Sequence, residues 1–283
     1  MKEFHIKITT LLILATIFAA CSGGGSSEIK TKEELAAEKT KDSLALKVGV
    51  VKSIDCLPAL YAQDEGMYDS LGVDVRLINF TSLLDCEKQL QKGNIDGAFI
   101  DTKRMEFLKG PRALEMKNML NTDMQWQLLA NRKSRIKKPG QLVDKLVAVT
   151  RHSALDYLTD RMLDSVKTAK DKVFMVQVND VDLRLKMLIS GEIDAAWLPE
   201  PQASEAKRRA CNLLAQSNGK DKELSVLSFT AKAIADKRKE QQIKAFVEAY
   251  KAADKKVHEV SGEQYGQLIT KYFGYSTNKV GSK

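Results

Sequence analysis

The chain has 283 residues, of which 43% are hydrophobic and 29% are charged, and its formal net charge is +8. This length suits one large domain or two of ordinary size, with enough apolar content for buried cores. Lysines and acidic residues alternate along stretches such as residues 235–259, so a mixed, solvated surface explains the basic charge better than a nucleic-acid patch. We therefore expect no nucleic-acid partner.

The N-terminus predicts an export signal. Two lysines precede the apolar run LLILATIF, and two alanines and Cys21 follow it. The stretch FAAC resembles the bacterial lipobox, whose cysteine is lipidated, although a cleaved signal followed by a chance cysteine is the alternative. We expect a signal in residues 1–20 and a lipidated, glycine- and serine-rich tether in residues 21–45. The protein would then be held on a membrane, facing the periplasm or the cell exterior.

Strand and helix patterns alternate from Leu46 onward. LKVGVV predicts a buried strand, Pro58–Leu71 a helix, VDVRLINF a second strand, and Ser82–Gln91 a helix that Gly93 ends. IDGAFI predicts a short strand, TKRMEFL a helix, and MQWQLLANR a long strand that leaves this unit. This alternation is typical of a parallel, doubly wound sheet.

The second half repeats the order. KLVAVT predicts a strand, Ala154–Val166 a helix, VFMVQV a strand, and Val181–Ser190 a helix that Gly191 ends. IDAAWL predicts the next strand, followed by a helix over Gln202–Cys211 and the strand ELSVLSF. Two amphipathic helices complete the chain.

A sequence repeat links the two halves. KGNIDGAFID ends at Asp101, and SGEIDAAWLP lies 98 residues further along the chain. We expect Asp96 and Asp194 to bind local backbone, and Trp197 to be a core residue rather than a ligand platform. Open parallel sheets bind ligands at the carboxyl ends of their strands, so the chemistry is expected just after each repeated strand.

The ordered set of motifs resembles type 2 periplasmic solute-binding proteins of ABC importers. It consists of LKVGVV with the following helix and strand, QKGNIDGAFI, IKKPGQLVDKLVAVTRHSALDYL and SGEIDAAWLPEP, and extends over Leu46–Phe273. The nearest branch binds sulfonates, taurine, nitrate and thiamine precursors. The resemblance implies two doubly wound α/β lobes joined by two crossover segments, with a ligand in the cleft and closure by hinge motion.

The predicted elements fit this organisation. Lobe one would contain residues 46–124, and MQWQLLANR would lead into lobe two, residues 125–222. Residues 223–283 would return to lobe one and supply its C-terminal helices. The hinge is expected in the two crossover segments.

Polar residues that follow the predicted strands are the candidate ligand-binding residues, because exposed amides and hydroxyls at a helix start favour an anion. In lobe one they are Ser53, Asp55, Cys56, Thr81, Ser82, Asp101 and Thr102. In lobe two they are Thr150, Arg151, His152, Ser153 and Glu200.

Several of these residues have a simpler structural explanation. Thr150 and Ser153 could only cap the following helix, and His152 could be a turn residue facing water. Family members often have glycine where this chain has His152, which argues against a close copy of the sulfonate site. Glu200 lies between two prolines and could be a ligand acceptor or a solvated rim charge. Arg151 is expected to contribute more to ligand binding than to stability.

Cysteine and histidine spacing predicts neither a metal site nor a cofactor. A disulfide between Cys56 and Cys86 is one possibility, and a core position for Cys86 is the other.

The expected function is a membrane-anchored, monomeric lipoprotein that binds a small organic anion or zwitterion and delivers it to an ABC permease. Binding of a heteroaromatic thiamine-type precursor is the alternative ligand class. An enzyme of the same fold and a transport-independent sensor are the alternative functions, although the sequence shows no nucleophile and base that must meet.

Overall fold

The computed structural model describes residue 31 and residues 43–108, 114–122 and 124–276. The chain separates into two units, Met1–Ser43 and Leu44–Lys283. The predicted signal and Cys21 lie outside the described residues, as does almost all of the predicted tether. Among the described residues, no helix combines the length and the apolar character needed to cross a membrane.

The second unit contains two sheets built from the strands of the described residues. These strands are β1 (Leu46–Val51), β2 (Val75–Phe80), β3 (Gly97–Asp101), β4 (Met116–Asn121), β5 (Trp126–Ala130), β6 (Leu146–Val149), β7 (Phe174–Gln177), β8 (Ala195–Pro199), β9 (Asn212–Gln216) and β10 (Ser225–Thr230). The first sheet has the order β2-β1-β3-β10-β4, and the second has the order β7-β6-β8-β5-β9. Both sheets therefore have the same topology.

Helices cover these sheets. The described helices are α1 (Leu57–Asp64), α2 (Met67–Ser70), α3 (Leu83–Gln91), α4 (Thr102–Phe107), α5 (Ala154–Ser165), α6 (Val181–Ser190), α7 (Gln202–Arg208), α8 (Ala231–Ala235), α9 (Lys237–Glu259) and α10 (Gly262–Phe273). We call the first sheet with α1–α4 and α8–α10 lobe one, and the second sheet with α5–α7 lobe two. The predicted fold class, two α/β lobes, is confirmed.

Each sheet is mixed rather than wholly parallel. In lobe one β1 runs parallel to β2 and β3, whereas β10 is antiparallel to both β3 and β4. Lobe two repeats this pattern, with β5 antiparallel to β8 and β9. The antiparallel strands arise because β5 and β10 enter their sheets from the opposite lobe.

The sequence pattern missed the edge strands β4 and β9. The sequence of β4, MKNMLN, is half exposed, and residues of β9, NLLAQ, alternate between intermediate and exposed. Neither has the apolar run that indicates a buried strand. The helix predicted over Pro58–Leu71 is likewise divided into α1 and α2 at Gly66, whose φ of 63° lies in the left-handed region.

The repeated aspartates act as expected, by binding backbone at the start of each sheet. In lobe one the Lys47 amide donates to Asp96 Oδ2 (2.9 Å), and in lobe two the Leu146 amide donates to Asp194 Oδ2 (3.0 Å). Asp96 also forms an ion pair with Lys239 of α9. The predicted structural role of both aspartates is confirmed.

Aromatic side chains fill the core beneath each repeated strand. Phe99 packs beside Tyr250 in lobe one, with ring centroids 5.5 Å apart. Its counterpart Trp197 is 1% exposed, and its Nε1 donates to Thr159 Oγ1 (2.8 Å). Trp197 is therefore a core residue, as predicted.

Candidate ligand site between the two lobes

A small cavity lies where the carboxyl ends of strands from the two lobes face each other. Its volume is about 30 Å³. Apolar and polar side chains line it. They are Val51, Ser53, Leu83 and Asp101 from lobe one, Met124 and Trp126 from the first crossover and the start of β5, and Thr150, Ser153, Leu155, Asn179, Val181, Arg184 and Pro199 from lobe two. The cavity thus combines contributions from both lobes.

Arg184 is the cation of this cavity. It lies in α6, whose Leu185 and Leu188 face the core, and it is 3% exposed. Its Nε and Nη1 have no hydrogen-bond acceptor in the described part of the chain. Burial lowers the pKa of the guanidinium to about 10, although Asp180 opposes this shift. Arg184 therefore stays charged at neutral pH and can bind an anion there.

Asp101 is the buried carboxylate of the same cavity. Its Oδ1 accepts from the Arg104 amide (2.9 Å), and its Oδ2 accepts from the Ala154 amide of lobe two (2.6 Å). Burial raises its pKa to about 6, because desolvation of the carboxylate outweighs these hydrogen bonds and the Arg104 charge. Asp101 therefore connects the lobes through its own carboxylate.

The loop after β1 supplies Ser53 to the cavity but turns Asp55 and Cys56 away from it. The Asp55 carboxylate accepts from Ser53, from Thr122 Oγ1 (3.1 Å) and from Ser225 Oγ (3.0 Å). Burial raises the pKa of Asp55, and also raises that of the fully buried Cys56 thiol well above its usual range. Asp55 thus ties together the lobe-one ends of both crossover segments.

Three further lobe-one candidates lie outside the cavity lining. Ser82 is the N-cap of α3, since its Oγ accepts from the Asp85 amide (3.2 Å). Thr81 is exposed, and its carbonyl accepts from the Val181 amide of lobe two (3.4 Å). Thr102 is half-buried and begins α4.

The loop before α5 divides its predicted residues between the cavity and the surface. Thr150 and Ser153 line the cavity, and Ser153 also caps α5 by accepting from the Leu155 amide (3.1 Å). Arg151 is exposed, and its guanidinium donates to the Met175 carbonyl (3.3 Å) outside the cavity lining. His152 has a φ of 56° and stacks on Phe107 of lobe one, with ring centroids 4.0 Å apart.

Glu200 also lies outside the cavity lining. Its Oε1 accepts from Gln127 Nε2 (2.8 Å), and its Oε2 accepts from the Ser204 amide (3.0 Å). Lys207 Nζ lies 3.4 Å from Oε1. The backbone carbonyl of Glu200, rather than its side chain, reaches lobe one by accepting from the Ile54 amide (3.0 Å).

A second group of contacts joins the lobes around Asp182 of α6. Its carboxylate accepts from Lys52 Nζ (3.1 Å), Gln202 Nε2 (3.1 Å) and the Tyr275 hydroxyl (2.7 Å). Burial would raise the pKa of Asp182, but these donors lower it on balance. Gln202 Nε2 also donates to the Lys52 carbonyl (2.8 Å).

Of the predicted residues, the structure brings Ser53, Asp101, Thr150 and Ser153 into the cavity. Sequence reasoning missed Arg184, because a charged residue in an amphipathic helix normally faces water. The repeat contained a usable signal: Arg184 lies 98 residues after Cys86, which is a fully buried position in α3. A charge at a repeat position that is apolar in the other copy indicates a special environment.

The cysteines of the described region, Cys56, Cys86 and Cys211, are free and buried. The core position for Cys86 is therefore the one observed. In the same region no group of three histidine, cysteine, aspartate or glutamate side chains is arranged to hold a metal ion.

Comparison of the fold with solved structures identifies it. The alkanesulfonate-binding protein SsuA from Xanthomonas axonopodis pv. citri, bound to MOPS, matches with a TM-score of 0.68 and 14% identity over 82% of this chain and 80% of that one. The periplasmic nitrate-binding protein NrtA from Synechocystis PCC 6803 matches with a TM-score of 0.69 and 15% identity, covering 82% of this chain and 66% of that one.

A Candida albicans protein described as having the generic periplasmic binding protein fold matches with a TM-score of 0.65 and 14% identity, over 82% of this chain and 77% of that one. The fold is therefore that of periplasmic binding proteins. A family model described as "NMT1/THI5 like" matches residues 53–260, and the chain belongs to this family. No match was found among curated proteins.

Proposed function

We propose that this protein is the exported solute-binding lipoprotein of an ABC importer and that it captures a small organic anion or zwitterion between its lobes. The observation that carries this proposal is Arg184, a buried residue that lines the interlobe cavity and whose guanidinium has two nitrogens unpartnered in the described chain. Burying such a charge is costly unless an anion completes the site. A monomeric protein with this site would deliver its ligand to a permease.

The fold relatives support an anionic ligand class. One is described as binding an alkanesulfonate, with MOPS bound, and another as binding nitrate. In this chain the ligand's charged group would contact Arg184. The Thr150 hydroxyl and the Asn179 amide are additional donors that line the cavity, whereas the hydroxyl protons of Ser53 and Ser153 are donated to Asp55 and to the Thr150 carbonyl.

The size of the cavity supports capture by lobe closure. A cavity of about 30 Å³ is far smaller than the 300–1,000 Å³ of typical small-molecule sites. An organic ligand therefore requires the lobes to separate before it can enter. The paired crossover segments, which Asp55 holds through Thr122 and Ser225, are the proposed hinge.

The support for membrane anchoring is the apolar run and lipobox-like sequence that end at Cys21. We assign residues 1–20 to the signal and residues 21–45 to the lipidated tether. Lobe one then comprises residues 46–124 and 223–283, and lobe two comprises residues 125–222. Replacing Cys21 with Ser should move the protein from the membrane fraction to the soluble fraction. Retention of the variant in the membrane would reject lipid anchoring.

Trp126 favours one second candidate ligand. Its indole lines the cavity beside Met124, and aromatic rings stack on such surfaces. A heteroaromatic, thiamine-type precursor is therefore the second ligand class. Both classes predict binding without turnover.

The test is a melting-temperature screen of the purified protein against sulfonates, nitrate, carboxylates, amino acids and aminopyrimidines. A ligand that binds only the folded protein stabilises it by about 2.7 kcal/mol at a hundredfold excess over its Kd. Mass spectrometry of the best compound distinguishes binding from catalysis, and its consumption would reject a purely binding function.

Two arginine variants locate the anion site. Arg184→Met should weaken binding of the best anion about ten- to hundredfold, since a hydrogen bond to a charged group is worth about 1.5–3 kcal/mol. Arg151→Ala is the matched variant, because sequence reasoning predicted Arg151 at the site. Calorimetric affinity that falls with Arg151→Ala and not with Arg184→Met would overturn the Arg184 assignment.

A further inference from the structure

The segment of lobe one from Asp101 to Phe107 makes three contacts with the start of α5 in lobe two and with the loop before it. The Ala154 amide donates to Asp101 Oδ2 (2.6 Å), and Arg104 Nη1 donates to the Arg151 carbonyl (3.1 Å). The Phe107 ring stacks on His152 with an interplanar angle of 3°. Asp101, Arg104 and Phe107 are spaced three residues apart, so they project from one side of α4 and its N-cap.

A buried ion pair fixes this segment, Asp101–Phe107, within lobe one. Glu87 of α3 accepts from Arg104 Nε (2.9 Å) and Nη2 (2.7 Å), and both side chains are almost fully buried. Arg104 also lies over the Phe107 ring, with its guanidinium carbon 5.0 Å from the ring centroid. Contacts within lobe one therefore hold Arg104 and Phe107 in place, and the Arg104 amide holds Asp101 Oδ1.

The Asp101 carboxylate occupies a position that suits a ligand anion. The first amides of a helix have no intrahelical partner and attract negative charge. In α5 the Ala154 amide is bound by Asp101, while the Leu155 amide is bound by the Ser153 hydroxyl (3.1 Å). The helix start that the sequence indicated as an anion site is thus bound by the protein's own carboxylate.

We propose that Asp101, Arg104 and Phe107 form a latch that closes the two lobes on each other without any ligand. In this latch Asp101 takes the place of a ligand anion at the start of α5. The latch is independent of which solute the protein binds. It lowers the fraction of open, binding-competent protein, and so weakens the apparent affinity for any ligand that needs the lobes apart.

Amide hydrogen exchange in the full-length protein, with no ligand added, tests the latch. The reporter is the Ile54 amide, which donates across the lobes to the Glu200 carbonyl (3.0 Å). In the wild-type protein this amide should be protected. Phe107→Ala and Asp101→Ala should each accelerate its exchange by about tenfold or more.

Matched variants separate lobe opening from general destabilisation. Phe174→Ala removes a comparably exposed phenylalanine from lobe two, at 56% exposed against 54% for Phe107. Asp236→Ala removes another N-cap aspartate, which accepts from the Arg238 and Lys239 amides of α9. Both controls should leave Ile54 exchange unchanged.

Small-angle scattering supplies the second measurement. Phe107→Ala should increase the radius of gyration of the ligand-free protein, and its far-ultraviolet circular dichroism should match that of the wild type. An Ile54 amide that exchanges freely in the wild-type protein would overturn the latch, as would exchange and radius unchanged in Phe107→Ala.

Discussion

The two lobes place an acidic residue at the end of the repeated strand, Asp101 as the last residue of β3 and Glu200 directly after β8, and use it differently. In lobe one Asp101 is 2% exposed and its carboxylate crosses to the Ala154 amide of lobe two. In lobe two the Glu200 side chain stays with Gln127, Ser204 and its own lobe. Acidic residues at the ends of the two repeated strands can therefore serve the interface in one copy and local structure in the other.

The equivalent helices α3 and α6 differ in the same way. Cys86 in α3 packs in the core, whereas Arg184, 98 residues later, faces the cavity. Gly93 and Gly191 end the two helices at the same spacing. The side-chain chemistry at this repeat position gives lobe two the cation of the cavity.

The largest expected effect compares the ion pairs of the two lobes. Arg104→Ala would leave Glu87 buried without its partner, which typically costs about 3–5 kcal/mol in the free energy of unfolding. Lys207→Ala removes the partly exposed partner of Glu200 and should cost less than about 1 kcal/mol. Urea unfolding of both variants measures the difference, and similar losses would contradict the contrast between the lobes.

The pH dependence of stability should show the burial of Asp101. Its pKa rises from 3.8 to about 6 in the folded protein, so folding favours the protonated form. The stability from this group is present below about pH 4 and is lost as pH rises through 6, by up to about 3 kcal/mol. The positive charge of Arg104 opposes this rise in the Asp101 pKa.

Asp101→Asn is the reference for this measurement, because the amide does not titrate. In chemical unfolding, the free energy of unfolding of the wild type minus that of the variant should fall as the pH rises from 4 to 6. A difference that stays constant, or increases, across this interval would show that the Asp101 pKa is not raised.

A glycine in lobe one and an alanine in lobe two offer a packing test. Gly97 pairs with Phe229, and a Cβ at Gly97 would overlap the Phe229 ring and lie 2.7 Å from the Ser228 carbonyl oxygen. Gly97→Ala should therefore cost about 1–3 kcal/mol through overpacking. Its counterpart Ala195 already has a Cβ, and it pairs with the small residue Ala130.

The reciprocal change Ala195→Gly should cost about 0.5–1 kcal/mol, chiefly through backbone entropy. Thermal unfolding of the two variants measures which one loses more stability. A smaller loss for Gly97→Ala than for Ala195→Gly would mean that Phe229 moves aside easily.

The last comparison between the lobes predicts a gain in stability. Arg184→Met replaces a buried guanidinium, two of whose nitrogens have no partner among the described residues, by an apolar chain and should stabilise the ligand-free protein by about 1–2 kcal/mol. Cys86→Ala, at the equivalent position in lobe one, should instead lose stability, because it empties part of a core. A lower melting temperature for Arg184→Met would show that Arg184 supports the fold.

The sequence predicted the strand-helix order, the repeat and the fold class because these depend on local apolar patterns and helix-ending glycines. It missed β4 and β9 because half-exposed edge strands have no such pattern. It also predicted twelve ligand-binding residues from strand ends, of which Ser53, Asp101, Thr150 and Ser153 line the cavity. Strand ends fix the backbone position, whereas side-chain direction depends on contacts such as Arg151 with Met175, which local sequence does not encode.

The positions of the two tryptophans have an optical consequence. Trp126 lines the interlobe cavity, whereas Trp197 is enclosed in the core of lobe two with its indole nitrogen bound to Thr159. Indole emission depends on the polarity of the surroundings, so a solute that enters the cavity alters the fluorescence of Trp126 and leaves that of Trp197 nearly constant. With Trp197 replaced by Phe, the protein would carry a single tryptophan, at the place where its lobes meet.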